Sequence, residues 1–209
     1  MIEVTTLPLG DGQTNCYILF QKDTKHALII DPGAEPQKIY RTIENLGAIP
    51  LAILLTHTHY DHIGAVDTIR DAYDIPVYVD SKEQDWLTDG SKNLSSMLGQ
   101  NITARPAEYL FNPGETLEIS GFSFKIIPTP GHSPGGVSFI FPKEKFVVTG
   151  DALFAGSVGR MDLPGGNSGQ LFNSIRQQLF TLPEDYIIYP GHGGSSTIGR
   201  EMTTNPFFN

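Results

Sequence analysis

The sequence is poor in cysteine, in basic charge and in long apolar runs, and each shortage closes off a class of function. Cys16 is the only cysteine in 209 residues, so no intrachain disulfide can form and a thiolate-built structural zinc site is excluded. The thiol lies in the apolar run Cys16-Tyr17-Ile18-Leu19-Phe20 and reads as a buried core group, not a nucleophile. Scarce cysteine suits a reducing, cytoplasmic setting. Lysine and arginine number 14 against 23 aspartates and glutamates, a formal net charge of -9. That balance argues against an electrostatic grip on nucleic acid or on an anionic membrane, and neither is expected as a partner. The apolar stretch Leu51 to Leu55 is too short to cross a bilayer, and Met1-Ile2-Glu3-Val4 lacks the basic start and apolar core of a secretion signal.

What remains is an ordinary globular composition, with 39% hydrophobic and 18% charged residues, expected to fold as one domain over residues 1–209. Strands are predicted at Ile2 to Leu7, Cys16 to Phe20 and Ala27 to Ile30, separated by Gly10-Asp11-Gly12 and Lys22-Asp23-Thr24-Lys25. Pro36 opens a helix to Leu46, with Ile39, Ile43 and Leu46 at helical spacing. A buried strand over Leu51 to Leu55, a helix over Ile63 to Tyr73 and a strand over Val77 to Val79 follow. Ser81 to Phe111 reads as helical and loop-like, with Trp86, Leu87, Leu94, Met97 and Leu98 serving as a flap, a dimer contact or extra core. Strands resume at Glu115 to Ile119, Phe122 to Pro128, Val137 to Phe141 and Phe146 to Thr149. A helix over Gly169 to Phe180 and a last strand over Tyr186 to Tyr189 complete the pattern. Strands dominate both halves and both carry helices, so the class is α/β, with two sheets covered by helices on their outer faces.

The chemistry is concentrated in Thr56-His57-Thr58-His59-Tyr60-Asp61-His62, which holds three of the six histidines directly after an apolar strand. Residues two apart at a strand end share a side, so His57 and His59 can bind one ion. Asp61 and His62 fall at the start of the next helix, where capping and the helix dipole favour a carboxylate. His132, Asp151 and His192 also follow predicted strands, in Gly- and Pro-rich turns. Five histidines and two aspartates without a nearby thiol suit two hard-to-borderline cations with water between them. His26, at a strand edge with no partner in sequence, reads as structural.

These residues resemble the metallo-β-lactamase superfamily, and within it the short glyoxalase II-like hydrolases. The match runs through Asp31 in Ile29-Ile30-Asp31-Pro32-Gly33, the His57-x-His59-x-Asp61-His62 cluster, His132, Asp151 and His192. Thr14-Asn15-Cys16-Tyr17, Thr149 to Phe154, Gly156 to Arg160, Ser196 to Arg200 and Asn205-Pro206-Phe207 support it. The resemblance implies a four-layer αββα sandwich with two divalent ions, zinc first, with iron and manganese sharing the same ligands. His57, His59 and His132 would hold one ion, Asp61, His62 and His192 the other, and Asp151 would bridge them. Asp31 would steady the ligand loop without coordinating. Arg160 would bind a substrate carboxylate, although an exposed loop arginine is its plain alternative. Metallo-β-lactamases proper commonly carry cysteine in place of the bridging aspartate, which disfavours antibiotic hydrolysis. Full-length glyoxalase II has a carboxyl-terminal helical region beyond His192 and an aromatic residue where this chain has Asp162.

The implied reaction is hydrolysis of a small-molecule thioester, such as S-lactoylglutathione, by a metal-bridging hydroxide that Asp61 and Asp151 orient. The protein is expected to work as a monomer or homodimer. The alternatives are a mononuclear-iron persulfide dioxygenase on the same fold, a nuclease, which the acidic balance disfavours, and a non-catalytic metal-binding module, which seven filled ligand positions disfavour.

Overall fold

The β-branched and aromatic runs of the first thirty residues form β1 (Ile2–Leu9), β2 (Thr14–Gln21) and β3 (His26–Ile30), paired antiparallel across the two polar turns. The computed structural model describes all of residues 1–209, and these strands open the first of two compact units, Met1–Phe111 and Asn112–Asn209. After β3 the first unit changes to parallel crossovers through α1 (Pro36–Leu46), β4 (Ile49–Leu54), α2 (Tyr60–Ile63), α3 (Val66–Tyr73), β5 (Val77–Asp80) and β6 (Tyr109–Phe111). One six-stranded sheet results, ordered β1-β2-β3-β4-β5-β6 and parallel from β3 onward.

Helix α1 has the bounds its sequence predicts. Pro36 presets the first turn, Ile39 and Ile43 are buried, and Gly47 closes the helix in the left-handed region at φ 58°. Cys16, Ile18, Ile29, Ile53 and Val77 pack with Ile39, Ile43, Val66 and Ile69 in one apolar core. The alternate residues Tyr17, Leu19, Leu28, Ile30 and Leu54 are also buried, as in strands apolar on both faces.

In the second unit β7 (Thr116–Ile119), β8 (Phe122–Pro128), β9 (Val137–Phe141) and β10 (Phe146–Gly150) run as an antiparallel meander. A hairpin of β11 (Leu153–Phe154) and β12 (Ser157–Val158) follows. Then come α4 (Ser168–Ser174), which continues as a π-helical turn over Ile175–Leu179, β13 (Ile187–Pro190), β14 (Ser196–Thr197) and α5 (Ile198–Thr204). The sheet order is β14-β13-β10-β9-β8-β7, with β13 parallel to β10. Leu171, Ile175 and Leu179 form the buried stripe their spacing predicts, against Ile127, Ile140, Val147 and Ile188. Phe124, Phe139, Phe141 and Phe146 make a separate aromatic row, with ring centroids 4.5 Å apart at Phe141–Phe146. Each unit is thus a sheet with its own helices.

Three expectations change. The helix expected over 63–73 is broken at Gly64-Ala65, because the chain passes under the turn after β3: Ala65 N–H donates to the Pro32 carbonyl, and a Cβ on Gly64 would lie 2.4 Å from the Gly33 carbonyl oxygen. Tyr109 to Phe111, expected within a helical and loop-like segment, is an edge strand. The strand ending at Tyr189 is not the last, since β14 and α5 lie beyond it. No helix is long and apolar enough to cross a membrane.

Cys16 is fully buried in β2, and burial, followed by the Asp31 carboxylate, pushes its thiol well above the ordinary range. Because the thiolate is the reactive form, iodoacetamide at pH 8 should leave the native chain unmodified while alkylating the urea-unfolded chain, as read by mass spectrometry. The sign for stability follows. The raised folded pKa costs nothing below the unfolded value of about 8.5, and stability falls as pH climbs above it because only the unfolded chain ionises. A Cys16→Ala variant should lose that alkaline slope.

Candidate metal centre

In the first unit β3, β4 and β5 end at one edge, and the residues that follow each end build the site. This is the usual place for a ligand in a parallel sheet. The chain leaves β4 at Leu54, carries His57 and His59 through a buried loop, and starts α2 at Tyr60 with Asp61 in its first turn. The His57 and His59 rings meet edge to face with centroids 4.7 Å apart, and the His62 ring lies 4.1 Å from that of His57. Asp61 Oδ2 is 3.7 Å from His62 Nε2 and accepts a hydrogen bond from Thr14 Oγ1 at 2.7 Å. The four ligands expected in this unit are therefore gathered.

Asp31, directly after β3, sets their orientation. Its Oδ1 accepts from Thr56 N–H at 2.8 Å, and its Oδ2 accepts from Thr56 Oγ1 at 2.6 Å and from His62 Nδ1 at 2.9 Å. The single hydroxyl proton of Thr56 is committed to the carboxylate. Thr56 Oγ1 can therefore only accept from His57 Nδ1, which lies 3.1 Å away. One carboxylate thus fixes the tautomer of two imidazoles, leaving both Nε2 lone pairs for a cation. Ligand atoms of Asp31, His57 and His62 lie within 4.8 Å of one another, and the Asp31 carboxylate already accepts three hydrogen bonds.

Sequence reasoning missed a second brace. Buried Glu83, in the turn after β5, accepts from Thr58 N–H at 3.0 Å and Thr58 Oγ1 at 2.6 Å. Trp86, three residues on, lies over His59 with centroids 5.9 Å apart. The available signal was the threonine immediately before each histidine in Thr56-His57-Thr58-His59; nothing in the spacing pointed to Glu83. Segment 81–111 therefore packs on its own unit, with Leu87 and Leu94 buried and Met97 and Leu98 exposed. His26 opens β3 as an edge residue, away from these contacts in the chain.

In the second unit β8, β10 and β13 run in one direction and deliver His132, Asp151 and His192 just past their ends. Asp151 Oδ2 lies 3.5 Å from His132 Nε2 and 3.4 Å from His192 Nε2. Neighbouring donors around a tetrahedral ion with bonds of about 2.1 Å are separated by about 3.4 Å. One carboxylate oxygen at that spacing from two imidazoles fits a bridging role. The Arg160 carbonyl at 2.8 Å accepts from His132 Nδ1, again leaving Nε2 for a cation. A Cβ on Gly159 would lie 1.8 Å from the Asp151 carbonyl oxygen, so only glycine permits this approach. The Arg160 side chain is exposed and bound bidentately by Asp162 at 2.9 and 3.0 Å, which raises the arginine pKa and lowers that of the aspartate. A substrate carboxylate would have to displace Asp162.

Residues 9–192 match the metallo-beta-lactamase superfamily. The chain belongs to that superfamily. A probable metallo-hydrolase of Streptococcus pyogenes is 48% identical over 94% of this chain and 86% of its own length. The hydroxyacylglutathione hydrolase GloC of Haemophilus influenzae is 37% identical over 100% of this chain and 99% of its own. Among solved structures, BLEG-1 B3 metallo-beta-lactamase superposes with a TM-score of 0.96 at 46% identity, covering 99% of this chain and 100% of that one. TTHA1623 in a di-iron-bound form gives 0.86 at 39% identity, covering 97% and 99%. The fold is the metallo-β-lactamase fold, and the imidazole and carboxylate clusters fit the divalent metals of this superfamily.

If Asp31 sets the imidazole geometry, Asp31→Ala should weaken metal binding about 10- to 100-fold, measured by competition with a chromogenic chelator. Its far-UV circular dichroism should remain that of the wild type.

Proposed function

We propose that the protein is a metal-dependent hydrolase of the glyoxalase II type that cleaves small acyl thioesters. The observation that carries this reading is Asp151, whose Oδ2 stands at donor-shell spacing from two imidazoles. That is the arrangement a shared carboxylate of a two-ion hydrolytic site needs. The full-length likeness to a hydroxyacylglutathione hydrolase supports the substrate class. In this reading residues 1–209 act as one domain. His57, His59, Asp61 and His62 of the first unit and His132, Asp151 and His192 of the second would be the ligands of two divalent ions.

Bound zinc, or iron as in the di-iron neighbour, supplies a water that ionises near neutral pH and a Lewis acid for the thioester carbonyl. Asp61, steadied by Thr14, and Asp151 orient the attacking water and take its proton. As the carbon–sulfur bond breaks, the thiol leaves with a proton returned to its sulfur. The one cysteine is buried and cannot act as a covalent nucleophile. Arg160, released from Asp162, is the candidate contact for a carboxylate on the thiol portion. The substrate is a free small molecule, neither nucleic acid nor membrane is engaged, and the protein works in the cytoplasm as a monomer or homodimer.

Purified, metal-analysed protein should hydrolyse S-lactoylglutathione or another acyl thioester, lose the activity to a chelator and regain it with zinc. His57→Ala and Asp151→Ala should each lower kcat by roughly a thousandfold or more while keeping the native circular dichroism spectrum. Full turnover by a folded, metal-depleted Asp151→Ala protein would refute the assignment. One iron per chain with oxygen uptake on a persulfide would favour the dioxygenase instead, and turnover of a β-lactam alone would favour antibiotic hydrolysis.

A further inference from the structure

A cavity of about 270 Å³ in the first unit opens beside Asp61. Leu9, Ala34, Leu98 and Ile102 supply apolar wall, and the backbones of Gly10, Gly12 and Gly33 complete it. Its polar groups are Asp11, Tyr60, Asp61 and Gln100, and no lysine, arginine or histidine lines it. Gly33 is required for its shape, since a Cβ there would lie 1.7 Å from the Asp61 carbonyl oxygen. Asp61 is shared between this cavity and the metal-ligand cluster, with its Oδ2 3.7 Å from His62 Nε2 and a fifth of its side chain open.

A carbonyl under attack at that cluster carries two substituents, the acyl chain and the thiol. We propose that the acyl chain enters this cavity, and that the cavity selects short, uncharged acyl groups over anionic ones. The inference rests on the thioesterase reading. Size is its first support, because pockets that hold drug-sized ligands run from about 300 to 1,000 Å³. A cavity just below that range admits an acyl fragment, not a peptide-like thiol. Charge is the second. When Asp61 holds a cation its own charge is compensated, but Asp11 remains at the rim. An acyl carboxylate would lose water against apolar walls and meet no basic side chain in return. Gln100 offers a neutral amide to an acyl hydroxyl, which a lactoyl-sized group carries.

The test compares butyryl and succinyl thioesters of one thiol, which match in chain length and differ in charge, together with acetyl and hexanoyl thioesters. On metal-loaded wild-type protein kcat/KM should be at least about tenfold higher for butyryl than for succinyl. Asp11→Lys should raise succinyl relative to butyryl at least about fivefold, by supplying the missing cation. Leu98 is 55% exposed, so Leu98→Trp is tolerated by the fold, and it should lower hexanoyl relative to acetyl about tenfold by narrowing the cavity. A butyryl-to-succinyl ratio near one, or acyl preferences that neither variant moves, overturns the subsite while leaving the thioesterase standing. Turnover of none of the four thioesters removes both.

Discussion

The first unit depends on where one carboxylate is buried. Asp31 sits with φ 49°, in the left-handed region that aspartate tolerates better than most residues, and the sharp turn swings its side chain beneath the loop that follows β4. There it receives three hydrogen bonds, from the Thr56 amide, the Thr56 hydroxyl and the His62 ring. The same group that joins the ends of β3 and β4 to α2 therefore dictates which nitrogen each of two imidazoles presents. Structure and chemistry share one cause. An apolar residue at this position would leave the buried Thr56 amide and hydroxyl to find other partners and both rings free to change tautomer.

The second constraint is close approach of backbone. In each unit an aspartate of the proposed ligand set packs its main chain against a glycine: Asp61 against Gly33, and Asp151 against Gly159. Added Cβ atoms would lie 1.7 and 1.8 Å from the respective carbonyl oxygens, well inside any van der Waals contact. The two halves have different sequences and different sheet topologies. They nevertheless place an aspartate backbone in close contact with a glycine in the same way. Glycine here is chosen for thinness, since neither residue needs a positive φ.

This explains what the sequence could and could not reveal. Long periodic elements were legible: α1 falls on its predicted bounds, and the strands through Val137–Phe141 lie where β-branched and aromatic runs place them. The His-x-His-x-Asp-His cluster was legible because ligand spacing on a loop is itself a pattern. The strand pairs Leu153–Phe154 and Ser157–Val158, and Ser196–Thr197, carry no period at two residues each and went unread. The break at Gly64 is set by the Gly33 carbonyl, far upstream, which no local window contains. Glu83 looks like any surface glutamate in sequence, and only the fold shows it buried beneath Thr58. For Arg160 the sequence suggested the side chain, whereas the structure employs its carbonyl on His132 and gives the guanidinium to Asp162.

Loops do not hold imidazoles rigidly unless something stiffens them, and here buried carboxylates do so. Asp31 and Glu83 brace the first ligand loop. Glu201 accepts from Gly156 N–H, Asn205 Nδ2 and Ser196 Oγ, while Asn205 also donates to the Ser157 carbonyl, so together they clamp the hairpin that follows Asp151. All three carboxylates are nearly or wholly inaccessible to water, and each meets at least two donors, which offsets part of the desolvation cost. The remainder is negative charge fixed in a low-dielectric surrounding. Where that charge lies directly behind the imidazoles, as at Asp31, it makes the ring nitrogens better donors and favours a bound cation over an empty loop. Ligand orientation and cation affinity thus follow from the same buried charge, since a neutral amide of the same shape would donate where the carboxylate accepts and would reverse the tautomer it holds.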